Sequence, residues 1–129
     1  MRFREATVED YERVRGFLCE QGWAHRVGDA QKFRRLMEKS SRAVVALDGS
    51  RIVGFARALC DEESNGYISM VAVASDKRGQ GVGSELVRLL MGDDASITWV
   101  LRAGRGSRGF WEKMGFRLSE TAMERTRKE

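Results

Sequence analysis

The sequence predicts a mixed α/β domain built on a mostly antiparallel sheet, and three observations lead there. In the first half, two short β-branched and apolar runs are joined by Asp48-Gly49-Ser50, a strong hairpin turn. In the second half, the apolar run Val71-Ala72-Val73-Ala74 passes through alternate glycines into a segment where Val82, Leu86, Leu89 and Leu90 recur at helical spacing. The chain has 129 residues, 42% hydrophobic and 33% charged. That is the size and composition of one folded domain, residues 1–129, with a genuine core.

The elements follow in order. Residues 2–6 read as a short opening strand. Thr7-Val8-Glu9-Asp10 has the form of a capping box, starting a helix with Val8, Tyr11, Val14, Phe17 and Leu18 inward and Gly22 at its end. A second helix spans residues 29–39, with Phe33, Leu36 and Met37 as its apolar face. Residues 43–47 and 52–59 form the hairpin strands, and Asn65-Gly66 turns the chain into the next strand. Gly92 closes the helix after the glycine-rich turn, residues 97–101 make a fifth strand, and residues 107–114 a helix ended by Gly115. The tail, residues 116–125, is β-like but short.

Composition removes several classes of function. The formal charge of +4 and a pI near 9.4 come from basic residues interleaved with 19 acidic ones. A nucleic-acid surface shows a clustered stripe instead, so no nucleic-acid partner is expected. The first residues, Arg2-Phe3-Arg4-Glu5, lack the apolar core of a secretion signal, and no stretch approaches the ~20 apolar residues needed to cross a bilayer. A cytoplasmic protein without a membrane partner is therefore expected. Cys19 and Cys60 are read as reduced, partly buried thiols. With no proline in the chain, the glycines carry the punctuation.

The segment from Val71 to Ser84 carries the chemistry. A strand ends, Gly79, Gly81 and Gly83 follow at alternate positions, and a helix begins. Glycines there let a ligand approach the main chain, and the first N–H groups of the helix are unpaired and favour an anion. Lys77 and Arg78 add positive charge at the same place. Two known phosphate cradles do not fit. The dinucleotide fingerprint beginning at Gly79 needs glycine where Ser84 stands, and the P-loop needs a lysine before Ser84. The pattern that fits is Arg78-Gly79-Gln80-Gly81-Val82-Gly83 directly after an apolar strand. Here the chain resembles the GNAT superfamily of acyl-CoA-dependent N-acyltransferases. A second stretch, Phe110-Trp111-Glu112-Lys113-Met114-Gly115-Phe116, is similar to that family's Phe-Tyr-x-Lys-x-Gly-Phe signature, in the expected order and separation.

The resemblance covers residues 1–125 and implies a sheet of six to seven strands, splayed at the cofactor strand and flanked by about four helices. It implies acetyl-CoA as co-substrate and no metal. Val71, Ala72 and Val73 would line the pantetheine arm, and Arg78, Gly79, Gln80, Gly81, Val82, Gly83 and Ser84 would hold the pyrophosphate. Amide N–H groups of the splayed strand would stabilise the thioester oxygen.

The remaining roles depart from the family pattern. Trp111 stands where many members have a tyrosine that protonates the departing sulfur, and an indole N–H is a hydrogen-bond donor only. Tyr67, placed by strand alternation on one face with Ser69, Val71 and Val73, is a candidate for that role, with a core or edge tyrosine as the competing reading. Glu63 is the candidate base, set against a solvated turn formed with Asp61 and Glu62. His25 in the loop after Trp23 is a second basic group. Arg105 or Ser107 would replace a missing asparagine contact to the cofactor, and Arg102 would attract a carboxylate on the acceptor. The short tail leaves the acceptor wall incomplete, from which a homodimer is expected. The activity implied is acetyl transfer to a primary amine of a small molecule by direct attack in a ternary complex. A protein or peptide N-acetyltransferase and a non-catalytic acyl-CoA sensor are the alternatives, the latter favoured by Trp111.

Overall fold

The computed structural model describes residues 1–128. Five strands make one sheet in sequence order: β1 (Arg2–Glu5), β2 (Arg42–Asp48), β3 (Arg51–Cys60), β4 (Asn65–Val73) and β5 (Thr98–Leu101). The first three pairings are antiparallel and β4–β5 is parallel, because the connection from β4 to β5 runs through a crossover helix. The helices are α1 (Tyr11–Leu18), α2 (Ala24–Val27), α3 (Ala30–Glu38), α4 (Val82–Met91) and α5 (Arg108–Lys113). Four of them were expected, and α2 is an added single turn after Gly22, whose φ of 91° breaks the helical path.

The sheet is smaller than the six to seven strands expected. No described residue after Leu101 joins it. In the tail the Ser119 hydroxyl accepts from the amides of Thr121 and Ala122, and such a local turn competes with a ladder for the same N–H groups.

One core holds the molecule together. Val14, Phe17 and Leu18 of α1, Phe33 and Met37 of α3, and Val82, Leu86, Val87 and Leu90 of α4 are buried against Val45, Leu47, Val53 and Phe55 of the central strands. Helix α4 covers one face of the sheet: the space beside the Cα of Gly54 is filled by Leu86 and Val82. The expected apolar face of α1 holds except at Val8, which is 48% exposed. It lies in a single 3-10 turn, Val8–Asp10, rather than in α1, so the 3.6-residue period does not reach it.

Asp10 closes the predicted capping box and does more. Its carboxylate, 2% exposed, accepts from Arg4 at 2.6 and 2.9 Å and from the Thr7 amide at 2.7 Å. The Arg4 guanidinium, outweighing the opposing effect of burial, draws the Asp10 carboxyl down to about 2.

The expected turn at Asn65-Gly66 is displaced. Both residues belong to β4, and the chain reverses at residues 61–64, where the Asp61 carboxylate accepts from the amides of Glu63, Ser64 and Asn65. Those three amide bonds hold the Asp61 carboxyl well below the ordinary carboxylate range. Glu62 takes the left-handed position, φ 66°, and its side chain is held by Arg42 at 2.7 Å. Gly66 is needed for another reason. A Cβ there would lie 2.3 Å from the Trp99 ring. That ring is stacked by Arg42, which also binds the carbonyls of Leu90 and Met91 at the end of α4.

Two outcomes follow. Asp10→Asn is expected to lose about 2 kcal/mol of unfolding free energy in denaturant melts, the size of a carboxyl shift of this extent. Because the folded carboxyl titrates below its unfolded value, this contribution is present above about pH 4 and disappears as pH falls through about 2. The stability difference between the native protein and the variant therefore closes over that window. Gly66→Ala is expected to cost about 1–3 kcal/mol by driving a methyl group into Trp99, with a matching fall in melting temperature.

Candidate functional site

Strand β4 is paired differently on its two sides. Toward β3 it is bonded from Gly66 to Val73, whereas toward β5 the register ends at Ile68 opposite Leu101. Beyond that point β4 and β5 part, and the main-chain groups of residues 69–73 that point toward β5 have no strand partner. The register with β3 also slips at this place: Met70 lies opposite Arg57 and Ile68 opposite Ala58, so Ser69 has no counterpart. One extra residue in a strand is a β-bulge, which bends the strand and redirects its side chains.

The bulge alters which side chains share a face. Val73 packs beside Gly83 at the start of α4, and Val71 lies opposite Ala56, so both belong to the α4 face. Ser69 instead accepts from Arg57, whose other bond goes to Ser40 at the end of α3. Gly66, under Trp99, is on the α4 side, which puts Tyr67 on the α3 side with Ser69. The expectation that Tyr67, Ser69, Val71 and Val73 share one face therefore fails, because simple alternation does not survive an inserted residue.

At its C-terminal end β4 leads through a 3-10 turn, Ser75–Lys77, into the glycine-rich segment. Gly79 and Gly81 have φ of 76° and 83°, the left-handed region that glycine enters without strain, and no atom lies within 4 Å of where their Cβ would be. Helix α4 starts with Gly81 as its cap, and its first bond runs from the Glu85 amide to the Gly81 carbonyl. None of the N–H groups from Arg78 through Gly79, Gln80, Gly81, Val82 and Gly83 to Ser84 has a hydrogen-bond partner among the described residues. Exposed unpaired amides at a helix start suit an anion carrying several oxygens.

The charges expected beside these amides divide. Lys77 is held by Asp48 at 2.9 Å and Arg51 by Asp76 at 2.9 Å. Arg78 touches only the Val73 carbonyl, at 3.4 Å. Its guanidinium has no carboxylate partner among the described residues and remains available to a ligand.

The side-chain candidates lie as follows. Tyr67 accepts from Arg102 at 3.1 Å, leaving its own hydroxyl proton free to be given elsewhere, and borders a cleft of about 700 Å3 with Leu101, Arg102 and residues 122–127. Glu63 is exposed in the turn held by Asp61. It precedes β4, whose first residue, Asn65, lies roughly 13 Å along the strand from Ser69 at ~3.3 Å per residue. His25 is exposed in α2, beside Arg26, which stacks on Trp23 at 4.7 Å. Trp111 is buried, edge-on to Phe110 at 4.9 Å and to Phe116 at 5.3 Å. The residues of the second signature thus form a hydrophobic knot that anchors α5. Ser107 donates to the Gly104 carbonyl at 2.7 Å, and Arg102 reaches Glu124 at 3.5 Å. Cys19 and Cys60 are free thiols, both half-buried.

Arg57 and Ser69 were not among the sequence candidates. The signal was a single charge inside the apolar run of residues 52–59, which in a strand with both faces covered stands out as a buried cation.

Comparison with known proteins agrees with this architecture. The family model described as an acetyltransferase (GNAT) domain matches residues 5–127. No curated protein sequence matches the chain. Among solved structures, an acetyltransferase of the GNAT family from Streptococcus pneumoniae is similar over 99% of this chain and 98% of its own, with 21% identity and a TM-score of 0.78. A ribosomal-protein-alanine N-acetyltransferase from Brucella melitensis biovar Abortus gives 21% identity over 98% of this chain and 99% of its own, with a TM-score of 0.76. A glucosamine-6-phosphate N-acetyltransferase from Arabidopsis thaliana gives 19% identity over 97% of each chain, with a TM-score of 0.73. With the parted strands, the unpaired amides of residues 78–84 and a family match across nearly the whole chain, this protein belongs to the GNAT acetyltransferase family.

Proposed function

We propose that this protein transfers an acetyl group from acetyl-CoA to a primary amine of a small molecule, by direct attack with both substrates bound together. The observation that carries the reading is the row of unpaired amides from Arg78 to Ser84, beside a strand whose edge is open from residue 69 onward. Acetyl-CoA supplies an activated thioester, so the protein needs no nucleophile of its own.

The amides of Gly79 to Ser84 and the Arg78 guanidinium bind the diphosphate, where oriented N–H groups and the helix dipole favour negative charge. The open edge at Val71, Ala72 and Val73 offers main-chain groups to the pantetheine and aligns the thioester. Amide N–H groups of residues 69–73 donate to the carbonyl oxygen as charge grows on it. Orientation contributes the rest, since holding the two reactants in contact is worth about 7 kcal/mol or more. The new C–N bond forms as the C–S bond breaks, the amine proton passes to solvent, and the departing sulfur receives a proton. Tyr67 is the donor for that step, because Arg102 already occupies its oxygen as a hydrogen-bond donor and leaves the hydroxyl proton free. Glu63, at the far end of β4, serves as base only through intervening water. The open outer edge of β5 supports the reading that a second copy of the chain completes the acceptor wall.

Thiol release from acetyl-CoA with a panel of amines, polyamines, amino acids and peptides tests the reading. Turnover with a small amine is the expected outcome. Turnover with peptides alone would replace it by the protein N-acetyltransferase reading, and binding without turnover by the sensor. Arg78→Glu is expected to weaken CoA binding about tenfold in calorimetry, with the loss shrinking as salt is raised. Absence of any heat with CoA in the native protein would end the proposal. Tyr67→Phe is expected to lower kcat about 10–100-fold while the KM for acetyl-CoA holds, within the range of general acid catalysis.

A further inference from the structure

Among the described residues, the guanidinium of Arg57 is the one buried charge without an opposite charge. The residue is 5% exposed, and no Asp or Glu lies within ion-pair distance among the described residues. The contrast with Asp10, the other buried charged residue, is direct: Asp10 has Arg4. Arg57 gives its Nε to the Ser40 hydroxyl at 2.8 Å and one Nη1 hydrogen to the Ser69 hydroxyl at 2.8 Å. Both acceptors are neutral. Taking a cation out of water is costly, and hydrogen bonds to two neutral hydroxyls offset only part of that cost.

The remaining donors point to what balances this charge. Ser40 passes its own proton to the Leu36 carbonyl at 2.9 Å, so it is fully used. Ser69 accepts from Arg57 and has no acceptor for its proton among the described residues. The second terminal nitrogen of Arg57, Nη2, has no hydrogen-bond partner either. No buried side-chain nitrogen or oxygen lacks a partner among the described residues, so this nitrogen keeps contact with solvent. Two free donors, one cationic and one hydroxyl, thus stand side by side. They do so at Ser69, where β4 bulges and parts from β5. The surroundings add positive charge. Burial chiefly, and then the neighbouring cation Arg26, hold the Arg57 guanidinium below its ordinary value. Arg102, expected to receive an acceptor carboxylate, is instead engaged by Tyr67 and Glu124.

We infer that the acceptor amine carries a carboxylate, received by Arg57 and Ser69 at the point where β4 and β5 part. The inference rests on the transferase reading above and names its substrate class: amino acids or similar amines with a free carboxyl group. The free Nη2 with the adjacent Ser69 hydroxyl matches two carboxylate oxygens, and a cation without an acid beside it favours a negative charge. With the carboxylate held there, the amine of the same molecule is set beside the open edge of β4. A phosphate-bearing amine shares the anionic chemistry and is separated by the test.

Calorimetric titration of CoA-saturated protein with free α-amino acids, their carboxamides and phosphoethanolamine decides the matter. The expected result is at least one amino acid binding tenfold or more tightly than its amide. Arg57→Gln is expected to bring that acid down to the level of the amide, while the amide and CoA titrations hold. Equal binding of acid and amide, phosphoethanolamine exceeding every amino acid, or no binding by any probe would overturn the inference. So would a preference that survives in Arg57→Gln. If that variant fails to fold, Arg57→Lys, which keeps the charge, and Ser69→Ala, which keeps the arginine, take its place. Each is expected to weaken the acid selectively, whereas a merely structural bond to the bulge would affect acid and amide alike. Repeating the titrations without CoA keeps the two readings apart. A missing CoA heat removes the transferase, and an Arg57-dependent preference for the acid stands or falls by itself.

Discussion

The architecture depends on β4 being bonded along its length on one side and for only four residues on the other. A central strand normally satisfies its main-chain groups on both sides, and a buried unpaired amide is costly. The register with β5 stops at Ile68, and the chain then uses β4 as an edge facing a crevice rather than a neighbour. The slip at Ser69 marks the change. Because the strand gains a residue there, the side chains before and after it face opposite layers, and the crevice acquires Tyr67 and Ser69 on one side and Val71 and Val73 on the other.

The layers around the crevice are held by charges satisfied elsewhere. Asp10 ties the start of α1 to β1 through Arg4, and Arg42 ties the end of α4 to the turn before β4 and to Trp99. Lys77 and Arg51 fix the turn after β4 through Asp48 and Asp76. Apart from the buried Asp10, these pairs are largely exposed, and each is worth little by itself. Among the described residues, Arg78 after β4 and the buried Arg57 beside its bulge are left without an acid.

The same division explains Trp111. A tyrosine at that position would present a hydroxyl, but the indole is enclosed by Phe110 and Phe116 and fastens α5 to the core. In the function we propose, the proton for the leaving group comes from a residue on β4 rather than on α5. That proposal assigns the step to Tyr67, whose oxygen is occupied by Arg102.

Much of this was legible in the residues alone. The hairpin at Asp48-Gly49-Ser50, the capping box at Thr7 and Asp10, the four main helices and the glycine turn are local features, set by backbone sterics and side-chain periodicity within a few positions. The family followed from two such local motifs. What the residues did not disclose depends on partners distant in the chain. Asn65-Gly66 reads as a turn, yet Gly66 is a strand residue because Trp99, thirty-three positions later, occupies the space of its side chain. The β-like tail forms no strand because its hydrogen bonds close on themselves. The bulge at Ser69, and with it the faces of Tyr67 and Val71, exists only where β3 and β4 meet. Arg57 is one charge in an apolar run that the sequence reading passed over, and only the packing of α3, β3 and β4 around it decided that the charge is buried, without an acid and next to the bulge of β4.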